Sequence, residues 1–127
     1  MASVIIIAHN EAGCAIRRNL IALSERTPPR LLEEGIVVDD SSSAPAESAV
    51  LEAGGIGGIQ LQVRWLRSET RLGVAGARQH AAVEARCSVL VFLDAHCVVQ
   101  RGWLPPMLQL LAASPRAVAL PAIETID

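Results

Sequence analysis

The feature that most constrains this chain is a set of short, almost wholly apolar runs that each end in a cluster of polar side chains. Residues 3–8 (SVIIIA) form an unbroken β-branched stretch and then meet His9, Asn10 and Glu11. The stretch 35–40 (GIVVDD) ends in Asp39 and Asp40, with Ser41 to Ser43 following, and 88–93 (SVLVFL) runs directly into Asp94, Ala95 and His96. Continuous runs of this kind suit strands covered on both faces. A fourth, 61–66 (LQVRWL), alternates and is expected nearer a sheet edge.

Helical patterns separate these runs. From Ala12 to about Ser24, the apolar residues Ala15, Ile16, Leu20 and Leu23 recur at helical spacing, with Arg17, Arg18 and Asn19 expected to turn outward. Pro28 and Pro29 cannot continue that helix. Residues 46–53 (AESAVLEA) read as a short helix closed by the glycines of 54–58 (GGIGG), and 73–85 (GVAGARQHAAVEA) as an Ala-rich one. Strand and helix thus alternate four times. That order predicts an α/β fold of Rossmann-like type, a mostly parallel sheet with right-handed crossovers and helices on both faces. Ligands of such sheets bind beyond the carboxyl ends of the strands, where the three polar clusters are expected to converge.

Composition narrows the chemistry. A chain of 127 residues, 51% hydrophobic and 19% charged, is long enough to fold around one core. A net charge of -2 with scattered basic residues gives no reason to expect a nucleic-acid partner. Aromatic side chains make up 2% of the chain, too few for a stacking platform. No stretch approaches the roughly 18 apolar residues of a membrane span, and the start lacks the pattern of a signal peptide. Cys14, Cys87 and Cys97 have no CxxC spacing, so neither a disulfide framework nor a zinc site is indicated. A reducing compartment fits them, and a cytoplasmic location is the expectation.

On extended backbone, residues two apart point the same way, so Asp94 and His96 can share one ligand while Ala95 faces elsewhere. Carboxylate oxygen plus imidazole nitrogen suits a borderline divalent ion such as Mn²⁺, with phosphate oxygens completing the shell. The bland alternative is an acid ending a strand beside a hydrogen-bonded histidine. For Asp39 or Ser41 to Ser43, capping of the next helix is the favoured reading. One of Asp39 and Asp40 can accept hydrogen bonds from a base or ribose while the other fixes the loop, and Arg71, just before Gly73 and a helix start, can reach a phosphate or a base edge. Several familiar sites are excluded. The GGIGG stretch follows a helix and HNEAG lacks GxGxxG, which argues against a dinucleotide site; no GxxxxGK[ST] or GxSxG occurs.

In order, 3–12 (SVIIIAHNEA), 36–43 (IVVDDSSS), 71–78 (RLGVAGAR) and 89–108 (VLVFLDAHCVVQRGWLPPML) resemble the nucleotide-binding half of family-2-like glycosyltransferases with the GT-A fold. Within that group the motifs are most similar to those of polypeptide N-acetylgalactosaminyltransferases. The resemblance implies that Asp94 and His96 bind Mn²⁺ and that the Ala95 backbone lies along the diphosphate. It further implies that Asp40 and Arg71, with Gly73 beside them, contact the uridine part of a UDP-sugar near Ile7 and His9. Ile7 stands where the family often has Thr, and Gly76 where it usually has Arg. The final stretch 119–127 (ALPAIETID) resembles the strand beyond the metal motif. Residues 1–127 are therefore expected to be one nucleotide-sugar-binding domain cut short at its C-terminal end, with transfer to a protein Ser/Thr or glycan hydroxyl depending on a longer parent. No general base is assigned within the chain, and a non-catalytic nucleotide- or metal-binding module is the competing expectation.

Overall fold

The structure, a computed structural model, describes residues 1–126. Four parallel strands, β1 (Ala2–Ala8), β2 (Leu32–Asp40), β3 (Val63–Ser68) and β4 (Val89–Asp94), lie in the order β3-β2-β1-β4. The chain steps outward from β1 through β2 to β3, then crosses back to lay β4 on the other flank of β1. The strand order therefore reverses between β1 and β4, and a parallel sheet opens its ligand crevice at the carboxyl ends of such a pair. Ile7 and Asp94 are register partners there.

Four helices, α1 (Gly13–Arg26), α2 (Ala46–Glu52), α3 (Gly73–Glu84) and α4 (Leu104–Ala113), cover the sheet. On one face Ala2, Val4, Ile6 and Ala8 of β1 pack with Ile16, Leu20 and Leu23 of α1, Val50 of α2 and Leu104 of α4. On the other, Ile5 packs with Ile36, Val38 and the small side chains Ala77 and Ala81 of α3. Successive side chains of β1 thus enter two different cores, which is why its sequence is apolar without alternation. α1 and α2 approach so closely at Gly13 that a Cβ there would lie 2.1 Å from the Ala49 carbonyl oxygen, so only glycine fits.

Outside the tip of β4, the structure departs from the sequence reading in four places. β2 begins at Leu32 and so includes Glu34, which is fully buried at the amino end of the sheet. Its Oε1 accepts from Ser3 Oγ and from the Arg86 amide, both at 2.8 Å, and its Oε2 accepts from Arg64 Nη1 at 2.9 Å. Burial pushes the Glu34 pKa up; the bonds from the Arg86 amide, Arg64 and Ser3 outweigh it and hold the group below its ordinary 4.5. The second departure is α4, which the sequence reading did not include and which carries Pro105 and Pro106 in its first turn, where no amide donor is needed. Third, residues 114–126 form no strand, and Val118, Leu120 and Ile123 are largely exposed. A strand needs a neighbour for its backbone groups, and this stretch pairs with none of the four strands; its last residue, Asp127, lies outside the described residues. Fourth, Asn19 is buried, not turned outward. No helix among the described residues is long and apolar enough to cross a membrane.

Candidate functional site at the carboxyl edge of the sheet

The loops after β1 and β2 are clasped together. His9 Nδ1 donates to the Asp40 carbonyl oxygen at 2.7 Å, and His9 Nε2 accepts from Asn10 Nδ2 at 3.2 Å, which fixes the ring proton on Nδ1. The Asn10 amide donates to Ser42 Oγ at 2.9 Å, and the Ser43 amide donates back to Asn10 Oδ1 at 2.8 Å. Asn10 and Ser41 both sit in the left-handed region, at φ 52 and 58. Asn adopts that conformation readily, whereas Ser does so only when its surroundings hold it there.

The two acids at the end of β2 have separate structural duties. Asp39, as expected for one residue of this cluster, sits at the start of the next helix, accepting from the Ser42 amide at 3.0 Å and the Ala46 amide at 2.8 Å. Arg67 of β3, which the sequence reading did not single out, pairs with the same carboxylate. Burial raises the Asp39 pKa, and the bonds from Ser42, Ala46 and Arg67 more than offset it, leaving the group below its ordinary 3.8. Asp40 has no exposed surface. Its Oδ1 accepts from the Leu72 amide at 2.7 Å, and its Oδ2 from the Gly73 amide at 3.0 Å and Arg71 Nη1 at 2.8 Å. A carboxylate thus closes the N-terminus of α3 from another strand, a favourable place for negative charge. The Gly73 amide faces Asp40, and the φ of +77 at Gly73 explains why glycine stands there. The guanidinium of Arg71 is tethered through Nη1 while 51% of its side chain stays exposed.

The tip of β4 is different. Asp94 is the last strand residue, and a turn closed by the Cys97 amide on the Asp94 carbonyl at 3.1 Å carries Ala95 and His96. The backbone here is therefore a turn and not the extended strand expected from the sequence. Ala95 still points into the core, at 1% exposed, while Asp94 and His96 on either side of it are exposed. The Asp94 carboxylate makes no side-chain hydrogen bond to another described residue. His96 Nδ1 lies 3.4 Å from Glu11 Oε1, a long contact that turns Nδ1 toward the β1 loop and leaves Nε2 for another partner. Ile7 is half-buried against the α3-side cluster, so its side chain belongs to packing.

Beneath this turn lies a residue the sequence reading misplaced. Asn19 of α1 donates through Nδ2 to the Asp94 carbonyl at 3.0 Å and reaches the Ala95 carbonyl at 3.3 Å. The signal was its position, three residues after Ile16 and four before Leu23, on the buried stripe. Further along α1, Arg26 Nη1 donates to the Val99 carbonyl at 2.9 Å, and Thr27 Oγ1 just past the helix accepts from Trp103 Nε1 at 2.8 Å.

Asp94 and His96 are both exposed at the switch point, with one residue between them in the sequence, and a carboxylate with an imidazole is a donor set of the kind that suits a borderline divalent ion. Among the described residues no group of three or more His, Cys, Asp or Glu is placed to hold a metal. The strand order and helix placement define a Rossmann-like α/β domain. The profile of Glycosyl transferase family 2 matches residues 3–127, and the chain belongs to that family. It is 39% identical over 130 residues to polypeptide N-acetylgalactosaminyltransferase 5 of Caenorhabditis elegans, covering 98% of this chain and 20% of that protein. The crystal structure of GalNAc-T7 with UDP, GalNAc and Mn²⁺ superposes with a TM-score of 0.79 at 31% identity, over 90% of this chain and 21% of that one. A mannosyltransferase from Pyrobaculum calidifontis in complex with GDP-Man and Mn²⁺ gives 0.74 at 28% identity, over 87% and 32%. The chain thus has the fold of the nucleotide-binding half of a GT-A glycosyltransferase and spans about a fifth of the length of the curated relatives it matches.

Proposed function

We propose that this chain is the donor-binding half of a glycosyltransferase, which holds a UDP-sugar through a divalent ion, Mn²⁺ in the first instance, and presents it to a hydroxyl acceptor on protein Ser/Thr or glycan. The observation that carries the reading is the exposed Asp94–His96 pair, unlike Asp39 and Asp40, whose carboxylates are taken up by the protein. A bound divalent ion supplies charge neutralisation for the departing diphosphate.

Each side chain then has a task its geometry supports. Asp94 and His96 hold the ion, with Glu11 orienting the imidazole from its Nδ1 side. Ala95, anchored in the core, fixes the backbone between them along the diphosphate. Arg71 offers its remaining N–H groups to the nucleotide, and Asp40 and Gly73 act by holding Arg71 and the start of α3 in place. His9 sets the β1 loop against Asp40, and at Ile7 only the backbone remains for the nucleotide. The likeness to polypeptide N-acetylgalactosaminyltransferases favours an N-acetylhexosamine as the sugar.

Calorimetric titration with UDP tests this. Binding is expected to require added Mn²⁺ and to be lost in Asp94→Asn and His96→Ala. Both side chains are exposed, so the variants are expected to fold as the parent does. Metal-independent UDP binding, equal in the parent and both variants, would remove the assigned role.

A further inference from the structure

We infer that Asn19 is a positioning residue for the cation site, acting through the backbone that joins Asp94 to His96; the inference rests on those two residues being the cation's donors. Asn19 is fully buried on the same stripe of α1 as Ile16, Leu20 and Leu23, where an apolar side chain would serve packing alone. Its Oδ1 has no hydrogen-bond partner among the described residues, a destabilising arrangement for a buried acceptor. What the amide supplies in return is Nδ2, set against two consecutive carbonyl oxygens, Asp94 at 3.0 Å and Ala95 at 3.3 Å.

Those carbonyls stand where β4 stops and the turn begins. The Asp94 carbonyl also accepts from the Cys97 amide, so Asn19 and the turn grip the same oxygen. The Ala95 side chain is seated in the core beside it. The segment between the two exposed donors is therefore pinned from below by one amide and one methyl group, and the donors have only their own side-chain torsions left to adjust. The other bonds from this side, Arg26 to Val99 and Trp103 to Thr27, fall three and seven residues beyond His96 and steady the following loop. Among the side chains of α1, only Asn19 reaches the two motif carbonyls. Pre-set donors lose less freedom when an ion binds, which is the gain expected from an outer-shell contact.

The test uses Asn19→Leu, which keeps the branched shape and removes the amide, Asn19→Ser, which keeps a single short donor, and Asp94→Asn as reference. Mn²⁺ binding in the presence of UDP is followed by electron paramagnetic resonance, well below each variant's melting temperature. Asn19→Leu is expected to weaken Mn²⁺ binding about tenfold or more and to broaden the spectrum of the ion that still binds; Asn19→Ser should fall between it and the parent. A change in the bound ion's spectrum is not expected from a residue that matters only for packing. Parent-like affinity and spectrum in a folded Asn19→Leu, with binding lost in Asp94→Asn, would overturn the inference and leave the donor assignment standing. Parent-like binding in Asp94→Asn would overturn both. Should Asn19→Leu not fold, the parent decides: the Asn19 Nδ2 protons are expected to shift on addition of Mg²⁺ and UDP, and unmoved resonances in a chain that binds would overturn the inference.

Discussion

The two ends of the sheet use acidic side chains in opposite ways. At the amino end Glu34 is fully buried, and its two oxygens meet Ser3, the Arg86 amide and Arg64. At the carboxyl end of β4, Asp94 and His96 stand exposed, with one long contact from His96 to Glu11 between them. The first arrangement leaves the acid little to offer a ligand; the second leaves donors open. A carboxylate without side-chain partners among the described residues contributes little to folding that a neutral side chain would not, and under the proposed function Asp94 is free to meet a ligand. Asp40 lies between these extremes. It is as buried as Glu34, yet its network ends in Arg71, whose side chain remains half exposed.

Substitutions should separate the two ends cleanly. The largest effect is expected from Glu34→Ala, which strands the Arg86 amide and leaves Arg64, among the described residues, only its contacts with Glu84; it should cost about 3 kcal/mol, lowering the melting temperature by roughly 10 °C, with Mn²⁺-dependent UDP binding by the folded protein unchanged. Asp40→Ala should cost about 2 kcal/mol by uncapping α3 and, unlike Glu34→Ala, should also weaken UDP binding. Parent-like binding in Asp40→Ala would place Arg71 outside the nucleotide site.

Acid should weaken the fold through the satisfied carboxylates. Glu34 and Asp39 have pKa values held below those of the unfolded chain, so the unfolded state takes up protons first as the pH falls. Their contribution is present above the unfolded values of 4.5 and 3.8 and is lost as the pH drops through the lower folded ones. The melting temperature should therefore fall more steeply with acid, below about pH 4.5, in the parent than in Glu34→Gln; equal slopes would contradict the Glu34 network. Asp94→Asn is expected to change stability least, by no more than about 0.5 kcal/mol, while removing metal-dependent binding. A large stability loss would mean that Asp94 is structural after all.

The same contrast explains what could be read from the sequence. The β1 run, the strand-helix alternation and the convergence of the polar clusters follow from local periodicity, which short stretches display on their own. That one residue of the cluster at the end of β2 would serve the start of the next helix was likewise legible, because acids and serines in that position commonly take up a helix's free amides. Glu34 was not. Its partners Ser3, Arg64 and Arg86 lie 30 or more residues away, and an acid before GIVV looks like a strand boundary until the fold brings them together. Asn19 was misread by residue type, since its spacing already placed it on the buried stripe. The strand expected after α4 came from resemblance to the family, and resemblance alone cannot supply the neighbouring strand that this exposed stretch would need for pairing.

The most direct measurement is nuclear magnetic resonance of the chain with UDP and trace Mn²⁺, whose paramagnetism broadens the amides nearest the ion. The account predicts broadening confined to the carboxyl edge, at Ile7 to Glu11 and Asp94 to Cys97, that appears with UDP and vanishes in Asp94→Asn. Broadening centred on Glu34 and the amino end of the sheet, or unchanged broadening in Asp94→Asn, would contradict it.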